Sequence, residues 1–169
     1  MAYLNPDIKN MGKINDYYAI TLFDNTGTLE HIIFDIHLRI KYPPKNSGNV
    51  TINTINNWSV TAVVDTGATI SGITSRMATQ MGLKSSGEYG FTSAIGKGLS
   101  PIYIFDVIFP KDKLIENIEA VEISDDHNFD FLIGMNIISQ GDMALTSVNG
   151  KAAFSFRIPP AEKYIDFEQ

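Results

Sequence analysis

Cysteine is absent from the sequence, which excludes a disulfide framework, a thiolate zinc site and a cysteine nucleophile together. Basic charge is also scarce. The 13 lysines and arginines are outnumbered by 19 aspartates and glutamates, for a formal net charge of -6, and the basic residues do not cluster. A surface that tracks phosphates needs a basic face, so no nucleic-acid partner is expected. Long apolar runs are missing too. Residues 1–16 carry no apolar core of signal-peptide type, and nothing approaches the roughly 20 apolar residues that span a bilayer. No membrane association is expected, and the cytoplasm is the expected location. What remains is a chain of 169 residues, 44% hydrophobic and 19% charged, with material for one buried core and too little for two. One domain is expected over residues 17–160, between a flexible N-terminal segment, 1–16, and a C-terminal tail, 161–169.

The patterning is that of a β-rich chain. From Leu29 to Tyr42, Ile32, Phe34, Ile36, Leu38 and Ile40 alternate with His31, Asp35, His37 and Arg39, the period of a half-buried strand. Tyr17 to Phe23 reads as its hairpin partner, with Asp24-Asn25-Thr26-Gly27 as the turn. Val50 to Asn57 and Trp58 to Val64 are further extended stretches rich in β-branched residues. The period then changes. Thr74 can cap a short helix with Met77, Ala78 and Met81 on one face, stopped by Gly82. Phe91 to Phe109 returns to the strand period around a glycine-rich hairpin tip, Ile95-Gly96-Lys97-Gly98. A strand is expected around Ile118 to Ile123, and a polar turn from Ser124 to Asn128 leads to the apolar run Phe129 to Ile133. Met135 to Gln140 can form a second short helix, and Asn149-Gly150 is a hairpin turn between Met143–Val148 and Lys151–Ile158. Pro159-Pro160 closes the pattern.

One segment carries chemistry. Ala62-Val63-Val64-Asp65-Thr66-Gly67-Ala68-Thr69 places a carboxylate at the mouth of an apolar strand, followed by a hydroxyl and a residue without a side chain. Thr66 can hydrogen-bond to fix the loop, and Gly67 lets another backbone come close. Taken alone, Asp-Thr-Gly is also an ordinary way to turn a chain. The second apolar run, Phe131-Leu132-Ile133-Gly134, changes the balance. The two motifs together, in this order, resemble the retropepsin-like aspartic proteases over about residues 50–140. The stretch Thr74 to Leu83 is similar to the helical insertion of bacterial and cellular members more than to the compact viral enzymes.

That resemblance implies an all-β acid-protease barrel with one or two short helices and a flap hairpin. It implies Asp65 as the catalytic residue, with Thr66, Gly67 and Ala68 supporting the active-site loop. Thr66 would reach across a two-fold axis, and Gly67 would accept substrate backbone. Leu132, Ile133 and Gly134 would be the supporting second motif, and Ile95, Gly96, Lys97 and Gly98 are the flap candidates. Viral members carry an Asp two residues beyond the glycine and an Arg directly after the second glycine. Thr69 and Met135 stand there instead, which implies a more apolar contact near the dimer interface.

The chemistry so implied needs two carboxylates, one as base on a water and one as acid to the scissile carbonyl. The chain holds a single Asp-Thr-Gly and no Asp-Ser-Gly. The second Asp65 must then come from a second chain, so a homodimer acting on a peptide or protein substrate is expected. The alternative is a catalytically silent dimeric peptide-binding or regulatory module on the same fold. No cofactor or metal is expected. His31, Asp35 and His37 share a strand face, but that face also carries Arg39 and Lys41, and the two histidines are about 20 Å apart along a strand. Asp125-Asp126-His127 fits turn chemistry, and a Ser/His/Asp hydrolase would lack its Gly-x-Ser-x-Gly elbow.

Overall fold

A computed structural model of the chain describes residues 18–24, 31–40, 57–93 and 96–162. In chain order the elements are β1 (Tyr18–Asp24), β2 (Ile33–Arg39), β3 (Asn57–Val64), β4 (Ser71–Thr74), α1 (Ser75–Met81), β5 (Gly87–Ser93) and β6 (Gly96–Phe109). A 3-10 turn (Pro110–Asp112) then leads to β7 (Lys113–Ile123), β8 (Phe131–Ile133), α2 (Met135–Ile138), β9 (Asp142–Val148) and β10 (Lys151–Ile158).

Six of the strands close on themselves. The order β2-β3-β8-β4-β7-β6 returns to its start because β2 also pairs with β6, and β5 hangs on β6 outside the ring. Closure removes the unpaired edges that an open sheet would present. β2 buries Phe34, Ile36 and Leu38 and turns Asp35 and His37 outward, as its alternation requires. The interior is filled by residues such as Leu38, Ile73, Phe105, Val107 and Phe131, with Phe105 edge-on to Phe131 at 5.8 Å. At the seam, Arg39 pairs with Asp106 across the β2–β6 register. The Asp106 side chain is 1% exposed; it accepts from Arg39 Nε at 3.1 Å, Arg39 Nη2 at 2.7 Å and the Asn117 backbone N–H at 2.9 Å. A carboxylate can be buried so deeply because its lone pairs are taken.

A second sheet, β1-β10-β9, lies against the barrel. Its apolar face meets the barrel through aromatic contacts, Phe154 on Phe34 at 6.4 Å and Phe156 on Phe109 at 5.7 Å. Here the expected hairpin of residues 17–42 is corrected. β1 does not pair with β2; it runs antiparallel to β10, with Leu22 opposite Phe154 and Tyr18 opposite Ile158. Tyr18, Ile20 and Leu22 thereby join the face of Phe154, Phe156 and Ile158, all buried, and this non-local match outweighs the local turn chemistry. Residues 25–27 of that turn lie outside the described residues, as does the stretch expected from Val50 to Asn57 except for Asn57, which opens β3.

Other local signals match their elements. Thr74 Oγ1 accepts the Met77 N–H at 3.4 Å at the start of α1, Gly82 ends it with φ 66, and Met77, Ala78 and Met81 are buried. The β9–β10 hairpin turns at Asn149 and Gly150, with φ values of 52 and 76. β7 begins earlier than expected, at Lys113, because its first residues pair with the end of β6 across a register shift between Phe105 and Val107. Among the described residues, no helix is long and apolar enough to cross a membrane.

Candidate active site

Two parallel strands end side by side at the site. β3 and β8 pair Val63 with Leu132 and Val64 with Ile133, and the ladder continues one step further as the Asp65 N–H donates to Ile133 O at 3.0 Å. Asp65 is half-buried, while Thr66 and Gly67 are exposed and Ala68 is half-buried. The carboxylate is oriented by its own loop: the Gly67 N–H donates to Asp65 Oδ1 at 2.8 Å. A β-carbon at Gly67 would stand 3.1 Å from that oxygen, so a side chain there would crowd the carboxylate.

The second motif packs under this loop. Leu132 is half-buried, and Ile133 and Gly134 are buried. A β-carbon at Gly134 would lie 2.7 Å from the carbonyl carbon and oxygen of Ile70, and that backbone-to-backbone approach admits only glycine. Just beyond it, the Met135 N–H donates to Ala68 O at 2.8 Å and the Asn136 N–H to Thr69 O at 3.2 Å. The two motifs are thus brought together, with Thr69 and Met135 both exposed beside them.

Two residues at the site were not singled out from the sequence. Ser71, fully buried, donates from its backbone N and from Oγ to Asn136 Oδ1, at 2.9 and 2.7 Å. Ser71 Oγ in turn accepts the Gly134 N–H at 3.1 Å, and Asn136 Nδ2 donates to Glu119 O at 2.8 Å. The available signal was a polar residue shortly after each motif, Ser71 directly after Ile70 and Asn136 directly after Met135, which a strand start or a helix start explains equally well.

The flap candidates fall differently from the expected tip. β5 and β6 form the hairpin, but Ser93 pairs with Gly96 and Phe91 with Gly98. Gly96, Lys97 and Gly98 therefore belong to the returning strand, and Ile95 lies outside the described residues. The Phe91 ring covers Gly98, whose β-carbon would meet it at 2.6 Å.

Among the described residues, no group of three His, Asp or Glu is arranged to hold a metal. His31 and His37 are exposed, Asp35 Oδ1 accepts from Thr61 Oγ1 at 3.2 Å, and His127 stacks on Phe129 at 4.8 Å.

This geometry has counterparts elsewhere. A family model described as "gag-polyprotein putative aspartyl protease" matches residues 51–140. Among solved structures, the chain is similar to the crystal structure of a retropepsin-like aspartic protease from Rickettsia conorii, with a TM-score of 0.54 and 18% identity, over 88% of this chain and 98% of that chain. At that identity the likeness is one of fold. No curated protein sequence matches.

Proposed function

Because the chain belongs to the gag-polyprotein aspartyl protease family and has the retropepsin-like fold, we infer that it is an aspartic endopeptidase whose active site forms between two copies. Each copy supplies one Asp65, and residues 17–160 act as one domain in the cytoplasm. The observation that carries this reading is the Asp65 loop: a carboxylate at the end of an apolar strand pair, oriented by the Gly67 N–H and flanked by exposed residues.

A lone carboxylate cannot divide the two roles of the reaction. In the dimer, one Asp65 takes a proton from a water that attacks the scissile carbonyl, and its partner donates a proton to the carbonyl oxygen. The hydrated intermediate then collapses as the amine leaves with a proton. Thr66, exposed at the loop's tip, is available to the facing loop, and Gly67 leaves its backbone open to an extended peptide bound as an added strand. The hairpin β5–β6 would cover that peptide. A second copy is also consistent with β9, whose Met143 and Leu145 lie on the face of Phe156 and Phe154 yet are 36% and 58% exposed.

The test uses mixed dimers. Asp65→Asn is close in shape and should leave the fold intact while abolishing cleavage of a peptide library, and a statine-type transition-state mimic should block the wild type. When excess mutant chain is exchanged into wild-type protein, activity should fall with the square of the wild-type fraction. A linear fall would mean that each chain works alone. Binding of the mimic without any cleavage would favour the silent peptide-binding module.

A further inference from the structure

The loop from Asp65 to Ser71 is fastened at both ends. At its start the fastening is main chain to main chain, from Asp65 N to Ile133 O, and survives any side chain. Towards its far end the Met135 and Asn136 N–H groups hold Ala68 O and Thr69 O, and two side chains add to these main-chain bonds, the Ser71 hydroxyl and the Asn136 amide. Their hydrogen-bonding capacity is closely used. Asn136 Oδ1 accepts both the Ser71 N–H and its hydroxyl, the hydroxyl also accepts from Gly134 N, and Nδ2 donates to the carbonyl of Glu119 on β7. β7 is the parallel partner of β4, with Ser71 opposite Ala120. The amide therefore spans from the end of the Asp65 loop to the barrel wall, and its own residue is the second of the short helix α2. Buried networks of this kind fix one geometry when every member is paired. They lose it when one member is removed.

We propose that Asn136, acting through Ser71, is a positioning residue that holds the Asp65 carboxylate in its reactive orientation. This rests on the reading of Asp65 as catalytic, but the loop geometry can be measured separately. The carboxylate is oriented by the Gly67 N–H, so exchange of that amide reports the order of the loop whether or not any peptide is cut.

The experiment compares full-length wild type with Asn136→Ala, Ser71→Ala and the hydroxyl-keeping Ser71→Thr. Peptide kinetics and amide exchange are read on each. Removing either partner should lower kcat about tenfold or more, as small displacements of reacting groups do, with KM held within about twofold. Gly67 exchange should quicken about tenfold, since local opening sets the rate, while amides paired between β6 and β7 keep their wild-type rates. Ser71→Thr should retain most of the activity. Unchanged Gly67 exchange in folded Asn136→Ala, or a change confined to KM, overturns the proposal; if Asn136→Ala does not fold, the same outcomes in Ser71→Ala decide it. A wild type without Asp65-dependent cleavage defeats the peptidase reading alone, and the exchange result still decides whether Asn136 orders the loop.

Discussion

The two halves of strand β6 live in different surroundings. From Tyr103 to Phe109 the strand is part of the ring, with β7 along one side and β2 along the other near its end, and all but Ile104 are buried. Its polar groups there are held: Asp106 by Arg39 and Asn117, and Tyr103 by a 2.6 Å hydrogen bond to Glu122. Burial, and then the neighbouring Glu122 carboxylate, push the Tyr103 hydroxyl up to about 12. From Gly96 to Pro101 the same strand pairs along its length with β5, outside the ring. Phe91 and Leu99 of this arm are 43% and 68% exposed. One strand thus carries both a wall whose geometry is fixed from two sides and an arm held mainly by its own ladder. Under the proposed reading, the freer arm would suit a hairpin that a peptide has to pass on entering and leaving.

The largest effect should come from the wall. Asp106→Ala removes the acceptor of a guanidinium and of a backbone N–H, leaving both at the buried seam. Breaking a buried pair from one side costs about 3–5 kcal/mol; the value should fall at the low end because the Arg39 side chain is 22% exposed and can reach water. Urea denaturation with an unchanged slope would report it as lost stability. A loss below about 1 kcal/mol, the range of a surface pair, would mean that the seam does not depend on this contact.

How much of this was readable in advance follows the same division between local and non-local. The cap at Thr74, the stop at Gly82, the turn at Asn149-Gly150 and the Asp65 motif all lie within a few residues of what they control, and their chemistry is visible in the letters. The strand period showed a β-rich chain, and the barrel was what the resemblance carried by the two motifs implied. The pairing of β1 with β10 was not readable, because alternation tells which face of Tyr18–Asp24 is buried and is silent about the strand that lies beside it. The Arg39–Asp106 seam and the Ser71–Asn136 contact join residues far apart in sequence. Arg39, Ser71 and Asn136 each resemble an ordinary strand-end or helix-start polar residue, and Asp106 is a lone carboxylate within a strand pattern.

A smaller effect is expected in the second sheet, between wall and arm in character. The Ala161 backbone N–H and the Arg157 guanidinium hold the Asp142 carboxyl below the usual carboxylate range, against a weaker opposing effect of burial. A depressed folded value means that the folded chain binds this proton less readily than the unfolded one. Its stabilisation is therefore complete above the ordinary carboxylate value of about 4 and is lost as pH falls through the folded value. Asp142→Asn should melt below wild type at neutral pH, and the two curves should converge as the pH falls below the folded value. A gap that stays constant with pH would remove the charge from the explanation.

The smallest change should come from the arm. A methyl at Gly98 would meet the Phe91 ring at 2.6 and 2.9 Å, a contact that no core position could absorb. Here the obstacle is the outer end of a side chain that is 43% exposed, so the ring can swing into solvent instead of forcing the backbone apart. Alanine also narrows the unfolded ensemble relative to glycine, which returns about 0.4–1 kcal/mol, while the lost cross-strand cover removes about 0.2–1 kcal/mol. The two nearly cancel, so Gly98→Ala should leave the melting temperature close to wild type. The change should show instead in hydrogen exchange, altered across the β5–β6 ladder and unaltered in the ring half of β6. If this substitution lowered stability as far as Asp106→Ala, the arm and the wall would unfold as one unit, and the hairpin would lack the independence that a cover over a bound peptide requires.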